Sequence, residues 1–261
     1  MNLFVIYLKP SRNFQNQEKM KNLTEIDIII LSYAHTPALW QMTKSCLISL
    51  MQSEDHSSIK FNVVVVESHQ KMKPYQYPAT LTIYPEEPFG YHRYMNIGID
   101  ATRSPYVCIC NNDLIFHPNW ASEILKQMGQ HADLVSASPM SSNYHPNLGI
   151  SLVPEAIFGY RVGYEIAGWC LFYKRAIVKL IGILDENYEF SGADYDYSYT
   201  LWVCNLKHAL ITSSVVDHVT GQTVKTQSAE RQNQLTEDVI YHQKKWACRV
   251  DIVPVPENIN C

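Results

Sequence analysis

Three short apolar runs constrain the fold of this chain more than any other feature of its sequence. They occupy residues 26–31, 61–66 and 106–110, and each ends at polar residues. A continuous apolar run of this length is typical of a strand buried on both faces, as in a parallel sheet. Segment 38–52 carries apolar residues at roughly helical spacing, and a second helix is expected over 91–103. Strands that alternate with helices predict a doubly wound, mainly parallel sheet.

The length and composition fit a single domain. With 261 residues, the chain is at the upper end of what one α/β domain uses. Hydrophobic residues make up 46% and charged residues 18%, so the chain can bury a large core. No apolar run in the sequence approaches the ~18–20 residues that span a bilayer. The apolar residues 3–8 follow no basic segment and precede no small-residue cleavage site, which predicts an N-terminal strand rather than a signal peptide.

The charge balance and the cysteines limit the partners and the compartment. The net charge is −4, from 21 basic and 25 acidic residues, whereas a protein that follows a phosphate backbone usually has a basic excess or stripe. A duplex nucleic-acid partner is therefore disfavoured, although a local basic patch would not show in these totals. The seven cysteines include no pair with the spacing of a zinc knuckle or thioredoxin-like site, and Cys108 and Cys110 lie in an apolar run. Buried, reduced thiols predict a reducing compartment, the cytoplasm.

Polar residues gather at the ends of the three predicted strands. Ser32 and Tyr33 follow the first strand, Glu67 the second, and residues 111–113 the third. In doubly wound sheets, ligands bind beyond the carboxyl ends of the strands. No GxGxxG follows the first strand and no GxxxxGK[ST] occurs in the sequence, which excludes the ordinary dinucleotide and P-loop sites. A nucleotide would therefore be held by side chains and a metal instead of a glycine-rich loop.

Four blocks of the sequence, in the right order, resemble the family 2 glycosyltransferases of the GT-A fold. The blocks are Gly90 to Trp120, Gly168 to Tyr188, Gly192 to Tyr197, and His218 to Thr223. The nearest resemblance is to the rhamnosyltransferase-like branch, which often carries the triplet Asn-Asn-Asp, here residues 111–113, where other members have Asp-x-Asp. Together the blocks are specific for the superfamily but not for a sugar.

The resemblance implies a division of the chain and an activity. We expect an N-terminal strand and linker over 1–25, a single GT-A domain over 26–223, and a C-terminal helix and tail over 224–261 packed on the same domain. The implied fold is a Rossmann-like, mainly parallel sheet flanked by helices. The implied enzyme is an inverting hexosyl- or pentosyltransferase that uses a nucleotide-sugar donor.

A metal site is expected from the chemistry of such a donor. The donor leaves as a diphosphate, and a hard divalent cation, Mn²⁺ or Mg²⁺, stabilises the growing negative charge through oxygen ligands. Asp113 is the one carboxylate at the end of the third strand and is predicted to bind the metal, and the resemblance implies His218 as a second ligand. Asn111 and Asn112 are expected beside the donor. The alternatives are an ordinary turn at 111–113 and a structural histidine.

A second need is a base that takes the proton of the acceptor hydroxyl. The resemblance assigns this role to Asp194. In this sequence, Ala193 stands where the family usually has Glu. Asp196 is expected to fix the loop or to bind the acceptor, and Trp169 is the aromatic residue expected to contact the sugar or the acceptor. The alternative for both carboxylates is that they only cap the helix that follows.

The residues that would contact the nucleotide are assigned by resemblance. Ser32 and Tyr33 are implied to lie along the nucleobase, and Glu67, in place of the family's Asp, to accept a hydrogen bond from it. Asn96 matches an Asn of the family, and Arg93 is expected to reach the phosphates.

Two classes of function remain open on the sequence alone. The first is a metal-dependent glycosyltransferase that acts on a glycan or a protein, with a modified nucleic-acid base as a disfavoured acceptor. The second is a degenerate module that binds a nucleotide or a glycan without turnover, since the first Asp of the usual triplet is absent. The polar segment 224–245 is expected to be a solvated amphipathic helix without a chemical role.

Overall fold

The computed structural model describes residues 23–151, 153–189, 191–219 and 229–247, with side chains from residue 237 onward in the last range. The strand expected at 3–8, the last part of the fourth sequence block at 220–223 and the tail from 248 lie outside the described residues.

Nine strands and six helices make up the described chain. The strands are β1 Thr24–Ser32, β2 Ile59–Glu67, β3 Leu81–Ile83, β4 Tyr106–Asn111, β5 Leu114–Phe116, β6 Leu134–Met140, β7 Ala156–Phe158, β8 Cys170–Lys174 and β9 Lys207–His218. The helices are α1 Pro37–Gln52, α2 Tyr91–Asp100, α3 Trp120–Gln130, α4 Val178–Ile181, α5 Ala193–Val203 and α6 Ala229–Ala247.

The strands form one mixed sheet. Their order is β3-β2-β1-β4-β8-β6-β9-β5, and β7 pairs with β9. The pairings among β3, β2, β1 and β4 are all parallel, as expected from the helices that connect them. In the other half only β6 and β9 are parallel, while β8 runs antiparallel to both of its neighbours. The mainly parallel arrangement is therefore confined to the first half, because apolar runs show where strands lie but not in which direction they run.

The apolar runs are buried on both faces of the sheet, as their pattern predicts. Ile28 and Ile30 belong to the core between the sheet and helices α1 and α3, whereas Ile29 belongs to the core under α2 and α5. All three side chains are completely inaccessible to solvent. Alternate side chains of a strand point to opposite faces, so each face of β1 has its own core.

Helices α1 and α2 are fixed by local chemistry. Thr36 caps α1 by accepting a hydrogen bond from the amide of Leu39, at 3.3 Å, and Pro37 follows at the start of the helix. On α2, a Cβ atom at Gly98 would lie 2.3 Å from a methyl carbon of Ile29. Only glycine lets α2 lie this close to the sheet.

A buried ion pair closes the opposite end of the strands. Asp27, almost fully buried in β1, accepts hydrogen bonds from the Arg175 guanidinium and from the Ser104 amide, both at 2.6 Å. Arg175 also donates to the carbonyl of Ser104 at 2.6 Å. This cluster joins β1 to the segments that precede β4 and follow β8.

Candidate functional site

The polar residues at the strand ends meet at one edge of the sheet. Ser32 is in register with Glu67, and Leu31 with Asn111, so β1, β2 and β4 end together. The amide of Val219 donates to the carbonyl of Asp113 at 2.9 Å, which brings the end of β9 to the same place.

The two residues predicted to bind a metal lie side by side. Nε2 of His218 is 3.1 Å from Oδ1 of Asp113 and 3.5 Å from Nδ2 of Asn111. Asp113 Oδ1 is buried, and its contact with His218 does not have the geometry of a hydrogen bond, so no described group donates one to it. A carboxylate oxygen with free lone pairs next to an imidazole nitrogen fits a divalent cation, so the residues present suit Mn²⁺ or Mg²⁺.

The protein supplies only part of a coordination shell. Across the described ranges, no group of three or more His, Cys, Asp or Glu side chains could hold a metal ion. Mg²⁺-type cations require about six oxygen or nitrogen ligands and commonly take several from substrate phosphates and water. The pair of Asp113 and His218 therefore fits a cation that is completed by a diphosphate.

Trp169 is part of the same site. Its ring stacks on His218 with the ring centroids 5.3 Å apart and the planes at 14°, and Tyr144 packs edge-on against it at 5.5 Å. The indole Nε1 is buried and has no hydrogen-bond partner among the described residues. A buried N–H without an acceptor is unfavourable, and a ligand hydroxyl would satisfy it.

Asp194 lies in the first turn of α5, against the chain that leads to Trp169. A Cβ atom at Gly168 would be 2.7 Å from Oδ2 of Asp194, so the carboxylate occupies space that only glycine leaves open. Burial raises the pKa of Asp194, and the hydrogen bond from the amide of Tyr195 only partly opposes this. Gly192 occupies the N-cap position, so Asp194 is not the capping residue of α5. A carboxylate with a raised pKa at a cleft is suited to accept a proton.

Asp196 lies on the other side of α5 from Asp194 and contacts α6, and its expected acceptor contact stays a prediction. Its side chain is buried, and Oδ1 is 2.9 Å from the indole Nε1 of Trp246 and 2.7 Å from Nζ of Lys245, both on α6. Each residue turns a helix by about 100°, so two residues on from Asp194 the side chain points away to the other side. Asp196 fixes the loop, which is the other role that the sequence left open.

Glu67 reaches the edge of the sheet but is occupied there. It has no solvent-accessible surface, and its Oε1 accepts hydrogen bonds from the amides of Ala34 and His69, at 3.0 and 2.8 Å. Its Oε2 accepts one from the Tyr77 hydroxyl at 3.0 Å. The additional methylene relative to Asp lets the carboxylate reach these groups. In this structure Glu67 joins the segments that follow β1 and β2 to Tyr77, and its hydrogen bond to a nucleobase stays a prediction.

Asn96 and Arg93 are likewise engaged by the chain itself. Asn96 exchanges hydrogen bonds with the backbone of Leu184, at 2.8 and 3.1 Å, and also donates to Glu186. Arg93 donates to Glu186 at 3.3 Å and to the carbonyl of Pro88 at 2.9 Å. Both residues hold the turn at 184–186 against α2, and their contacts with a donor stay predictions.

Two further residues, missed by the sequence analysis, connect the strand ends. Thr43 of α1 accepts a hydrogen bond from Asn112 at 2.8 Å and shares one with Ser32 at 3.0 Å. Tyr77 lies 3.4 Å from the Ser32 hydroxyl and donates to Glu67, and burial raises the pKa of its phenol. We call Ser32, Thr43, Tyr77, Glu67 and Asn112 the polar floor. A threonine on the apolar face of 38–52 was the one available signal.

Tyr33 is the nucleotide-site candidate with an exposed ring. It is 37% exposed, its ring lies 4.3 Å from that of His35, and His69 packs edge-on at 5.7 Å. These three rings form an aromatic rim above the polar floor, the kind of surface on which a planar base can stack.

The family of this chain follows from comparison with known proteins. The sequence profile described as Glycosyl transferase family 2 matches residues 28–167. Curated protein sequences give no match. No helix among the described residues is long and apolar enough to cross a membrane.

Several solved structures share the architecture. GalNAc-T7 with UDP, GalNAc and Mn²⁺ superimposes with a TM-score of 0.65 and 11% identity, over 87% of this chain and 50% of that one. The mannosyltransferase PcManGT of Pyrobaculum calidifontis, with GDP-Man and Mn²⁺, gives 0.59 and 14%, over 88% and 65%. TarS 1–349 of S. aureus gives 0.52 and 12%, over 85% and 72%. This chain thus spans about half the length of the first and 65% of the second. At these identities the likeness shows the fold, and it confirms the predicted GT-A architecture.

Proposed function

This chain belongs to glycosyl transferase family 2, and we propose that it transfers a hexose or pentose from a nucleotide-sugar donor to an acceptor hydroxyl with inversion of configuration. The observation that carries the proposal is the pair of Asp113 and His218, 3.1 Å apart, at the sheet edge next to which Asp194 lies. The chain's membership of the rhamnosyltransferase-like branch stays a prediction.

The donor would bind from the aromatic rim to the metal pair. The nucleobase of the donor would stack on Tyr33, and its diphosphate would lie beside Asp113 and His218. A divalent cation held there, Mn²⁺ or Mg²⁺, would neutralise the charge that grows on the leaving diphosphate. GalNAc-T7 with UDP and PcManGT with GDP-Man both contain Mn²⁺, which supports this assignment.

Asp194 would act as the base. Its raised pKa favours proton uptake, and no Lys or Arg forms an ion pair with it among the described residues. The acceptor oxygen would lose its proton to Asp194 as it attacks the anomeric carbon from the side opposite the diphosphate. One displacement of this kind inverts the configuration.

The surroundings of Asp194 favour a neutral acceptor. Trp169 and Tyr144 present aromatic surface, and the unpartnered indole N–H is a donor for a sugar hydroxyl. A glycan, or a hydroxyl on a protein, is the proposed acceptor rather than a nucleic-acid base, because the chain has a net charge of −4. The cytoplasm is the proposed compartment, because the buried thiols of Cys108 and Cys170 are free with their sulfurs 3.6 Å apart.

A donor screen tests the proposal. The full chain is incubated with UDP-, GDP- and dTDP-sugars, with Mn²⁺ or with EDTA, and the released nucleotide diphosphate is measured with and without glycan acceptors. We expect release that depends on one donor, on the acceptor and on Mn²⁺. Nucleotide binding without release for any donor would instead identify a degenerate binding module.

A further inference from the structure

The last turns of helix α6, which was expected to be amphipathic and to pack on the same domain, lie against the segment that carries Asp194. Asp238 accepts hydrogen bonds from the amides of Glu189 and Ser191, at 3.3 and 2.8 Å. Nδ1 of His242 lies 3.0 Å from the hydroxyl of Tyr188. Side chains of α6 therefore hold the loop that leads into α5 by hydrogen bonds to the loop's backbone amides and to the side chain of Tyr188.

Lys245 is the centre of this contact. Its Nζ lies 2.7 Å from Oδ2 of Asp185 and 2.7 Å from Oδ1 of Asp196. Burial opposes the charged forms, yet the hydrogen bond from Lys245 helps to lower the pKa of Asp185 to about 2, and the two carboxylates raise the pKa of Lys245. The ammonium thus lies between two carboxylates and offsets the repulsion that they would otherwise exert on each other.

Along the chain, the two carboxylates lie on either side of the proposed base, Asp194. Asp185 stands at the start of the loop, and Asp196 lies in α5 only two residues after Asp194. Movement of either end would shift Asp194 against Gly168, where the contact leaves no room for a Cβ atom. The residues of the rim and floor lie on other parts of the chain: at or just after the ends of β1, β2 and β4, on α1, and in the segment before β3.

We propose that Lys245 is a positioning residue for transfer: by bridging Asp185 and Asp196, it holds the start of α5 so that Asp194 faces the acceptor. This inference rests on the proposed function of Asp194. A displacement of about 1 Å at a catalytic group lowers a rate by up to about 10²-fold. The loss should therefore appear in kcat, while donor affinity stays the same.

The first test compares Lys245→Met with Lys244→Met. Lys244 is the preceding residue on α6, its side chain is exposed, and it has no ion pair among the described residues, so it is the matched control. We expect kcat to fall by about 10–10²-fold in Lys245→Met, with donor Kd within about two-fold, and no change in Lys244→Met. A kcat equal to that of the control overturns the proposal.

A second variant separates positioning from loss of folding. In Lys245→Met with Asp196→Asn, one of the two facing charges is gone, while the amide oxygen can still accept from Trp246. We expect kcat at saturating substrate to recover about ten-fold relative to Lys245→Met. A double variant no better than the single one contradicts the charge bridge.

Hydrogen exchange of the full chain tests the same point without activity. If the wild type transfers no sugar, the proposed function fails, but the inference can still be judged. We expect faster amide exchange over 185–196 in Lys245→Met than in Lys244→Met, because α6, which carries the acceptor Asp238, would be held less firmly against this segment. Equal exchange in the two variants overturns the positioning role.

Discussion

Replacement of Asp194 by Asn changes the proposed base and almost nothing else. Asn has the same shape, so it fits the space that Gly168 leaves open, and its oxygen can still accept from the amide of Tyr195 at 3.0 Å. The change removes only the negative charge and the ability to take a proton. Because burial already disfavours the charge, we expect the free energy of unfolding at neutral pH to stay the same or to rise slightly.

The expected loss of turnover follows from the contribution of general base catalysis. That contribution is about 10²–10⁴-fold, which corresponds to about 2.7–5.5 kcal/mol of barrier. Transfer by Asp194→Asn should fall by this factor, whereas donor Kd, measured by calorimetry with Mn²⁺, should stay within a few-fold. Asp113→Asn is the contrasting variant, because it should weaken the metal-coupled donor binding as well as the rate.

The pH dependence of stability and of activity gives a second test of Asp194 as the base. The raised pKa of Asp194 means that the folded protein holds this proton to higher pH than the unfolded chain, so its contribution to stability is lost as the pH rises through the folded pKa. Activity should change in the opposite sense and rise over that range, above the ordinary Asp value of about 3.9. Near-normal transfer by Asp194→Asn, or an unchanged acid limb, would refute the assignment of Asp194 as the base.

Three further predictions follow from individual contacts. Nucleotide diphosphate and Mn²⁺ should bind with strong positive coupling in calorimetry, since Asp113 and His218 form only part of a shell, and equal nucleotide affinity in EDTA would point to a metal-independent site. Gly168→Ala places a Cβ atom 2.7 Å from Oδ2 of Asp194, so transfer should drop by about 10²-fold with donor affinity unchanged; full activity would show that the carboxylate is free to move. Arg175→Met leaves Asp27 buried without its cation, so urea unfolding should show a loss of about 3–5 kcal/mol, and a loss below about 1 kcal/mol would contradict the buried pair.

Much of the sheet and part of the site could be predicted from the sequence. The three apolar runs became β1, β2 and β4, because a strand buried on both faces needs an unbroken apolar pattern. Asp113 and His218 were paired across more than a hundred residues by family resemblance, and the structure brings them within 3.1 Å. Helix α2 ends at Asp100, three residues before the predicted end.

The internal partners of several candidate residues could not be predicted from the sequence. Resemblance assigned Asn96 and Glu67 to the nucleotide, and Asp196 was expected near the loop or the acceptor; in the structure each has partners in a distant part of the chain. Buried polar groups need partners, and the sequence does not show which segment returns to supply them. The contacts of Lys245 on α6 could not be predicted for the same reason, since Lys245 and its two carboxylates are far apart in the sequence.

The polar floor has a consequence for how donor preference can change in this protein. Its members are linked by hydrogen bonds: Thr43 contacts Ser32 and Asn112, and Tyr77 contacts Ser32 and Glu67. A single substitution in the floor leaves a buried neighbour without its hydrogen-bond partner. Its effect on stability and binding therefore depends on which other floor residues have been replaced. Lineages that acquire a new nucleotide should therefore vary first at the exposed rim, at Tyr33 and its neighbouring histidines, while the floor changes only in coordinated sets.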